Sequence, residues 1–159
     1  MQPNQTRLVK QWRYADQVHP LTSGFFSNGY DRRYAMQENH ELLSKAFAEF
    51  GLAPKYVEPK YKVFTGNHYL DGAFTHKHKD PTLSGYVHAR CNLMIKKPAE
   101  GGNPVIDDVE ISVEVGDLWL CLASEEYHQS TPIKGGERII MSFGGLVPVE
   151  QFKARLQWQ

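Results

Sequence analysis

The chain has 159 residues, 41% of them hydrophobic, which suffices for one buried core and is short for two domains. Its 18 Lys and Arg balance its 18 Asp and Glu without any run of like charge, which argues against nucleic acid or another polyanion as partner. Met1 to Trp12 is polar and no apolar stretch approaches bilayer length, so a soluble, cytoplasmic protein with no membrane partner is expected.

In chain order, the segment around Phe25, Phe26, Gly29, Tyr30 and Tyr34 has no clean period and reads as a long ordered loop, able to form part of a substrate lid. From Glu38 to Phe50, Leu42, Leu43, Ala46, Phe47 and Phe50 recur at helical spacing, and Gly51 and Pro54 supply the stop. After Pro59 the pattern turns to β-type runs: Tyr61 to Thr65, Tyr86 to Lys96, Val109 to Val115, Leu118 to Ala123 and Arg138 to Phe143. Breaks at Pro81, Gly101 to Pro104, Gly116-Asp117 and Gly135-Gly136 supply the corners of a jelly-roll type of barrel. A short helix is expected from Pro148 to Leu156. The whole reads as a single domain over 1–159, mainly β with flanking helices: a loop and helix over 1–58, then a barrel core over about 60–147. Cys91 and Cys121 each lie in an apolar run and read as buried, reduced thiols.

Within Thr75-His76-Lys77-His78-Lys79-Asp80, His78 and Asp80 at i and i+2 project from one side of an extended segment and can share a metal. His76 alternates with His78 as well and competes with it, but His78 with Asp80 brings a carboxylate to balance a divalent charge. His128 follows a strand run at a separation suited to a chain that crosses a barrel and returns. Two His and one carboxylate on one face of an octahedron leave three positions open, the arrangement of non-haem Fe(II) oxygenases. Ten residues beyond His128, Arg138 shares a strand face with Ser142, and a fixed guanidinium suits a distal carboxylate. On the Tyr86 strand, His88, Arg90, Asn92, Met94 and Lys96 alternate against Val87, Ala89, Cys91, Leu93 and Ile95. The first set is a polar cavity face if the second packs on the helix. Trp119 reads as core, and His19, His40 and His68 as structural or exposed.

These pieces, from about Val63 to Leu146, resemble the 2-oxoglutarate-dependent Fe(II) dioxygenases, most closely the prolyl 4-hydroxylase-like branch. The motifs occur in that family's order: Tyr69-Leu70-Asp71-Gly72, His78-Lys79-Asp80, Gly101-Gly102 with Pro104, Gly116-Asp117-Leu118-Trp119, His128, and Glu137-Arg138. The resemblance implies a double-stranded β-helix (cupin-like) barrel. It implies Fe(II) held by His78, Asp80 and His128, with 2-oxoglutarate and O2 as cosubstrates. Arg138 would bind the distal carboxylate of 2-oxoglutarate, with Tyr69, Asn92 and Ser142 near it, while Arg90, His88, Lys96 and His76 are candidate substrate contacts. Asp80 stands where related halogenases carry a small residue, which favours hydroxylation or a related oxidation. A small-molecule or amino-acid-like substrate and a peptidyl, prolyl-type one both fit, and a cupin-like metal-binding or sensor protein without turnover is the rival of another class.

Overall fold

The computed structural model describes residues 7–20, 26–27, 31–33 and 39–153. Among them the strands are β1 (Leu8–Val9), β2 (Phe26–Ser27), β3 (Asp31–Arg33), β4 (Tyr56–Val57), β5 (Val63–His68), β6 (Tyr86–Lys96), β7 (Pro104–Ile106), β8 (Val109–Glu110), β9 (Leu118–Cys121), β10 (His128–Ser130) and β11 (Arg138–Pro148). Helices α1 (His40–Ala48) and α2 (Glu150–Lys153) and a 3-10 turn at Ala15–Gln17 accompany them.

Every pairing among the described residues is antiparallel. A large sheet runs in the order β1-β9-β6-β11-β5-β3-β2, with β4 also paired to β11, and a small sheet runs β10-β7-β8. An isolated bridge between His78 and His128 adds the His78 segment to the edge of the small sheet. The chain therefore alternates between sheets from β5 onward: large at β5, small at His78, large at β6, small at β7 and β8, large at β9, small at β10, large at β11. That alternation is the double-stranded β-helix, or jelly roll, and it opens a cavity between the sheets.

Alternation on β6 decides what each face does. Val87, Ala89, Cys91 and Leu93 are buried on the outer face with Leu42, Leu43, Ala46 and Phe47 of α1. Arg90 and Asn92 face inward and line the cavity. Cys91 pairs across the sheet with Leu120, and Cys121 with Arg90, so the two thiols sit on opposite faces; both are free and buried.

Helix α1 is shorter than Glu38 to Phe50 because Asn39 caps it, its side chain accepting from Leu42 N at 3.3 Å. Strand β5 runs on through Gly66-Asn67, residues that favour turns, because β11 on one side and β3 on the other hold that stretch extended. Strand β11 likewise continues through Gly144-Gly145 to Pro148. These glycines accept close neighbours: a Cβ at Gly144 would lie 2.7 Å from the Arg90 guanidinium carbon, and one at Gly145 2.8 Å from Pro54.

The expected strand Val109 to Val115 is cut to Val109–Glu110. Asp107 and Asp108, both at positive φ, make a two-residue hairpin turn from β7, which was hidden behind Pro104. Beyond Glu110 the backbone leaves the sheet, with Val113 N on Asn103 Oδ1 at 3.3 Å and Glu114 N on Asp117 Oδ2 at 2.9 Å. The Phe25 to Tyr34 segment contributes β2 and β3 to the sheet edge instead of being loop throughout; the rest of that expected lid lies outside the described residues. Helix α2 packs Phe152 into the core as expected, and Leu156 lies outside the described residues. No helix among the described residues is long and apolar enough to cross a membrane.

Candidate metal centre

The segment 75–80 zips against the return leg 123–130 through backbone contacts. Ser130 N donates to Thr75 O at 3.1 Å, His78 N to His128 O at 3.1 Å, His128 N to His78 O at 2.9 Å and Asp80 N to Ala123 O at 2.8 Å. The two imidazoles become direct cross-strand neighbours, with ring centroids 4.2 Å apart, and Asp80 reaches both. His78 Nε2 lies 3.2 Å from Asp80 Oδ1 and His128 Nε2 lies 3.6 Å from Asp80 Oδ2. One ligand atom from each of the three residues falls within 4.8 Å of the others. Ligands about 2.1 Å from one ion and at right angles to each other would be about 3 Å apart, so this set needs little movement to close on a metal.

Both rings are oriented by the backbone. His78 Nδ1 donates to His76 O at 2.5 Å and His128 Nδ1 to Glu126 O at 2.9 Å, which turns each Nε2 toward Asp80 and leaves it as the basic nitrogen. The turn carrying Glu126 is itself anchored: its carboxylate accepts from Leu122 N at 2.9 Å and pairs in bidentate fashion with Arg7, at 3.0 and 2.5 Å. Burial raises the Asp80 pKa, but hydrogen bonds from His128 and His78 outweigh it and hold the carboxyl well below the usual range. The hydrogen bond to Asp80 raises the pKa of His78. An ionised carboxylate between two imidazoles is a donor set suited to Fe(II), and all three residues line the cavity.

The cavity, of about 330 Å³, is bounded by both sheets. Arg138, Asn92, Ser142 and Arg90 line it, as the strand alternation predicts. Arg138 Nε donates to Gly102 O at 2.7 Å, which fixes the side chain against the glycine turn. That turn needs glycine: a Cβ at Gly101, where φ is +73°, would lie 1.8 Å from Pro132 O. Trp119, expected as core, is both: it is buried in an apolar cluster and forms part of the cavity wall beside Cys121 and Ala123.

Four candidate contacts lie off the wall. Tyr69 lies just beyond the end of β5, past the last wall residue of that strand, His68. His76 is exposed and stacked edge-on to Phe74 at 4.5 Å, so it serves the centre through its carbonyl oxygen. His88 is buried behind the cavity with Nδ1 on Pro81 O at 3.1 Å. Lys96 lies beyond a β-bulge, where Ile140 pairs with Met94 and Ile139 with Lys96; the extra residue breaks the alternation and Lys96 pairs with Glu137 at 3.6 Å on the surface.

Arg33 and Thr75, which the sequence reading passed over, also line the wall, and so does His68, expected as structural or exposed but buried and turned into the cavity. His68 shares its face of β5 with Phe64 and Gly66 and stands opposite Arg138 across the β5 to β11 pairing. Burial, reinforced by the charges of Arg138 and Arg33, pushes its pKa from 6.5 down to about 4. Since the unfolded chain takes up this proton near its ordinary pKa and the folded protein only near 4, stability is full above that range. It falls by on the order of 3 kcal/mol as pH drops through it. Urea unfolding midpoints measured between about pH 7 and pH 4 should show this decline, and His68→Gln should flatten it.

This arrangement is a jelly roll whose two sheets enclose a His-Asp-His cluster and a buried arginine, and its fold is similar to that of solved 2-oxoglutarate/Fe(II) oxygenases. An oxidoreductase of the 2OG-Fe(II) oxygenase family from Burkholderia pseudomallei superposes with a TM-score of 0.57 at 12% identity, covering 76% of this chain and 71% of its own. HygX from Streptomyces hygroscopicus, with nickel and 2-oxoglutarate bound, superposes with a TM-score of 0.52 at 11% identity, covering 91% of this chain and 84% of its own. A Pseudomonas putida prolyl-4-hydroxylase is 23% identical over 53% of this chain and 52% of its own, with a TM-score of 0.41. No protein-family model matches the sequence, and no curated protein matches it by sequence.

Proposed function

We propose that the protein is a non-haem Fe(II)- and 2-oxoglutarate-dependent dioxygenase. It hydroxylates or otherwise oxidises an unactivated C–H bond of a small-molecule or amino-acid-like substrate, with release of succinate and CO2. The observation that carries this reading is the convergence of His78, Asp80 and His128 ligand atoms within 4.8 Å, on the wall of a cavity that Arg138 also lines. His78, Asp80 and His128 would hold the iron, and Arg138 would take the distal carboxylate of 2-oxoglutarate. When bound, the iron supplies the activation of O2, coupled to oxidative decarboxylation of the cosubstrate.

The chain's own part is geometry and exclusion of water. The carbonyls of His76 and Glu126 hold the two Nε2 atoms in place, and Gly102 O holds Arg138. Trp119, Ile106, Ile140 and Phe64 give the wall an apolar lining that keeps bulk water from the reacting C–H bond. The cavity volume of about 330 Å³ is at the small end for ligand pockets, which supports a small molecule over a peptide. HygX, which holds 2-oxoglutarate with nickel in the same fold, supports the cosubstrate.

Anaerobic titration of metal-free protein with Fe(II) and then 2-oxoglutarate tests the reading. One equivalent of iron should bind, and 2-oxoglutarate should then raise a visible metal-to-ligand charge-transfer band. Iron bound without any band would overturn the oxygenase reading in favour of a cupin-like metal-binding protein.

A further inference from the structure

Arg90 is a buried charge to which the proposed metal and cosubstrate positions assign no role. It is 7% exposed in the middle of β6 and lines the cavity. Its Nη1 donates to Ser142 Oγ at 3.1 Å and to Lys62 O at 3.2 Å, while its Nη2 is buried without a hydrogen-bond acceptor. Glu58 Oε1 comes within 3.5 Å of Nη2, yet that carboxylate already accepts the backbone N–H groups of Lys60, at 2.9 and 3.2 Å, and of Tyr61, at 2.5 Å. Leaving a buried guanidinium donor unmet is costly, so its retention calls for an acceptor that arrives from the cavity.

A second cation stands beside it. The Arg33 and Arg90 guanidinium carbons lie 5.1 and 5.0 Å from the centre of the Phe64 ring, and all three residues line the cavity. The backbone makes room for Arg90, because Gly144 opposite it leaves the guanidinium the space a Cβ would occupy.

This position is separate from that of Arg138. Arg90 is tied to Ser142 and Arg138 to Gly102 O; along the β11 backbone Ser142 and Arg138 are four residues apart, roughly 13 Å at about 3.3 Å per residue, so Ser142, expected beside the distal carboxylate of 2-oxoglutarate, serves Arg90 instead. The two arginines therefore mark two anion positions. Among the described lining residues, Arg33, Arg90 and Arg138 face one carboxylate, Asp80. With Fe(II) and the 2-oxoglutarate dianion in place and Glu58 set against Arg90, one positive charge is left over, which a monoanion neutralises and a phosphate dianion overshoots.

We propose that Arg90, with Arg33 beside it, seats a carboxylate of the substrate, so that the molecule oxidised is a small organic acid, a free amino acid included. A neutral metabolite or an internal residue of a peptide would leave Arg90 unmet. The assignment rests on the oxygenase reading and specifies its substrate class.

The test is calorimetric titration of the protein with straight-chain carboxylates from acetate to octanoate and with the matching carboxamides. It is run first metal-free and then with Mn(II) and 2-oxoglutarate bound. At least one acid should bind about ten-fold or more tightly than its amide, a preference that falls to about two-fold or less in Arg90→Gln and is partly restored in Arg90→Lys. Arg90→Gln should keep 2-oxoglutarate affinity within about three-fold of wild type, whereas Arg138→Gln should lose that affinity and keep the preference for acid. Wild-type protein that binds every acid no better than its amide overturns the proposal. So does Arg90→Gln weakening 2-oxoglutarate as much as Arg138→Gln does, or methyl phosphate outcompeting every carboxylate. Should Arg90→Gln not fold, the wild-type comparison and Arg90→Lys decide. Failure of the oxygenase reading is distinguishable, since it appears as a missing Fe(II)/2-oxoglutarate band while metal-free protein still prefers acids.

Discussion

His128→Ala should lose iron binding by more than about 100-fold, and with it the charge-transfer band, while the variant remains folded. His128 supplies one of two imidazole nitrogens, and its Nε2 lies 3.6 Å from Asp80 Oδ2. Without it, a carboxylate and one imidazole remain, a pair too weakly chelating to retain Fe(II). The fold should survive because the His78 to His128 bridge is made by backbone N–H and C=O groups, which alanine also provides. His76→Ala is the matching control. Its exposed ring can be removed while its carbonyl continues to hold His78 Nδ1, so iron affinity and the band should stay near wild type. Iron titrations followed by absorbance separate the two variants, and the opposite order of effects would transfer the ligand role to His76.

Arg138→Gln should leave iron binding intact and raise the concentration of 2-oxoglutarate needed for the band by about 100-fold or more, since losing one partner of a buried charge pair costs about 3 kcal/mol. Arg138 is 6% exposed and its Nε is committed to Gly102 O, so the side chain is already ordered before any carboxylate arrives. Gln keeps a hydrogen-bond donor but neither the charge nor the paired geometry. A band that forms at the wild-type concentration would remove Arg138 from the cosubstrate site and would leave the second buried arginine, Arg90, to explain any cosubstrate affinity.

Much of this site could be read from the chain because its signals are local. Glu38 to Phe50 carries its own apolar stripe, and the alternation of the Tyr86 strand sorts Arg90 and Asn92 from Ala89, Cys91 and Leu93 without reference to any neighbour. The strand ends that run beyond the expected ones depend on distant partners. Val63–His68 extends past Gly66-Asn67 because two strands hold it, and Arg138–Pro148 extends past a glycine pair that neighbouring side chains require. Lys96 left the cavity face because of a bulge in its pairing with β11, which nothing in Met94-Ile95-Lys96 itself foretells.

The sequence by itself determined the amphipathic helix, the β-rich remainder, the polar face of the Tyr86 strand and the donor types His78, Asp80 and His128, all of which follow from side-chain chemistry and a period of two or 3.6 residues. Only the tertiary structure decided that residues 75–80 pair with 123–130, so that three donors 2 to 50 positions apart converge. It also decided that His68, Arg33 and Thr75 join the wall, and that Tyr69, His76, His88 and Lys96 do not. The physical reason is that antiparallel register, bulges and sheet-to-sheet packing are set by contacts between distant segments, and these contacts choose which of two strand faces is buried and what it meets.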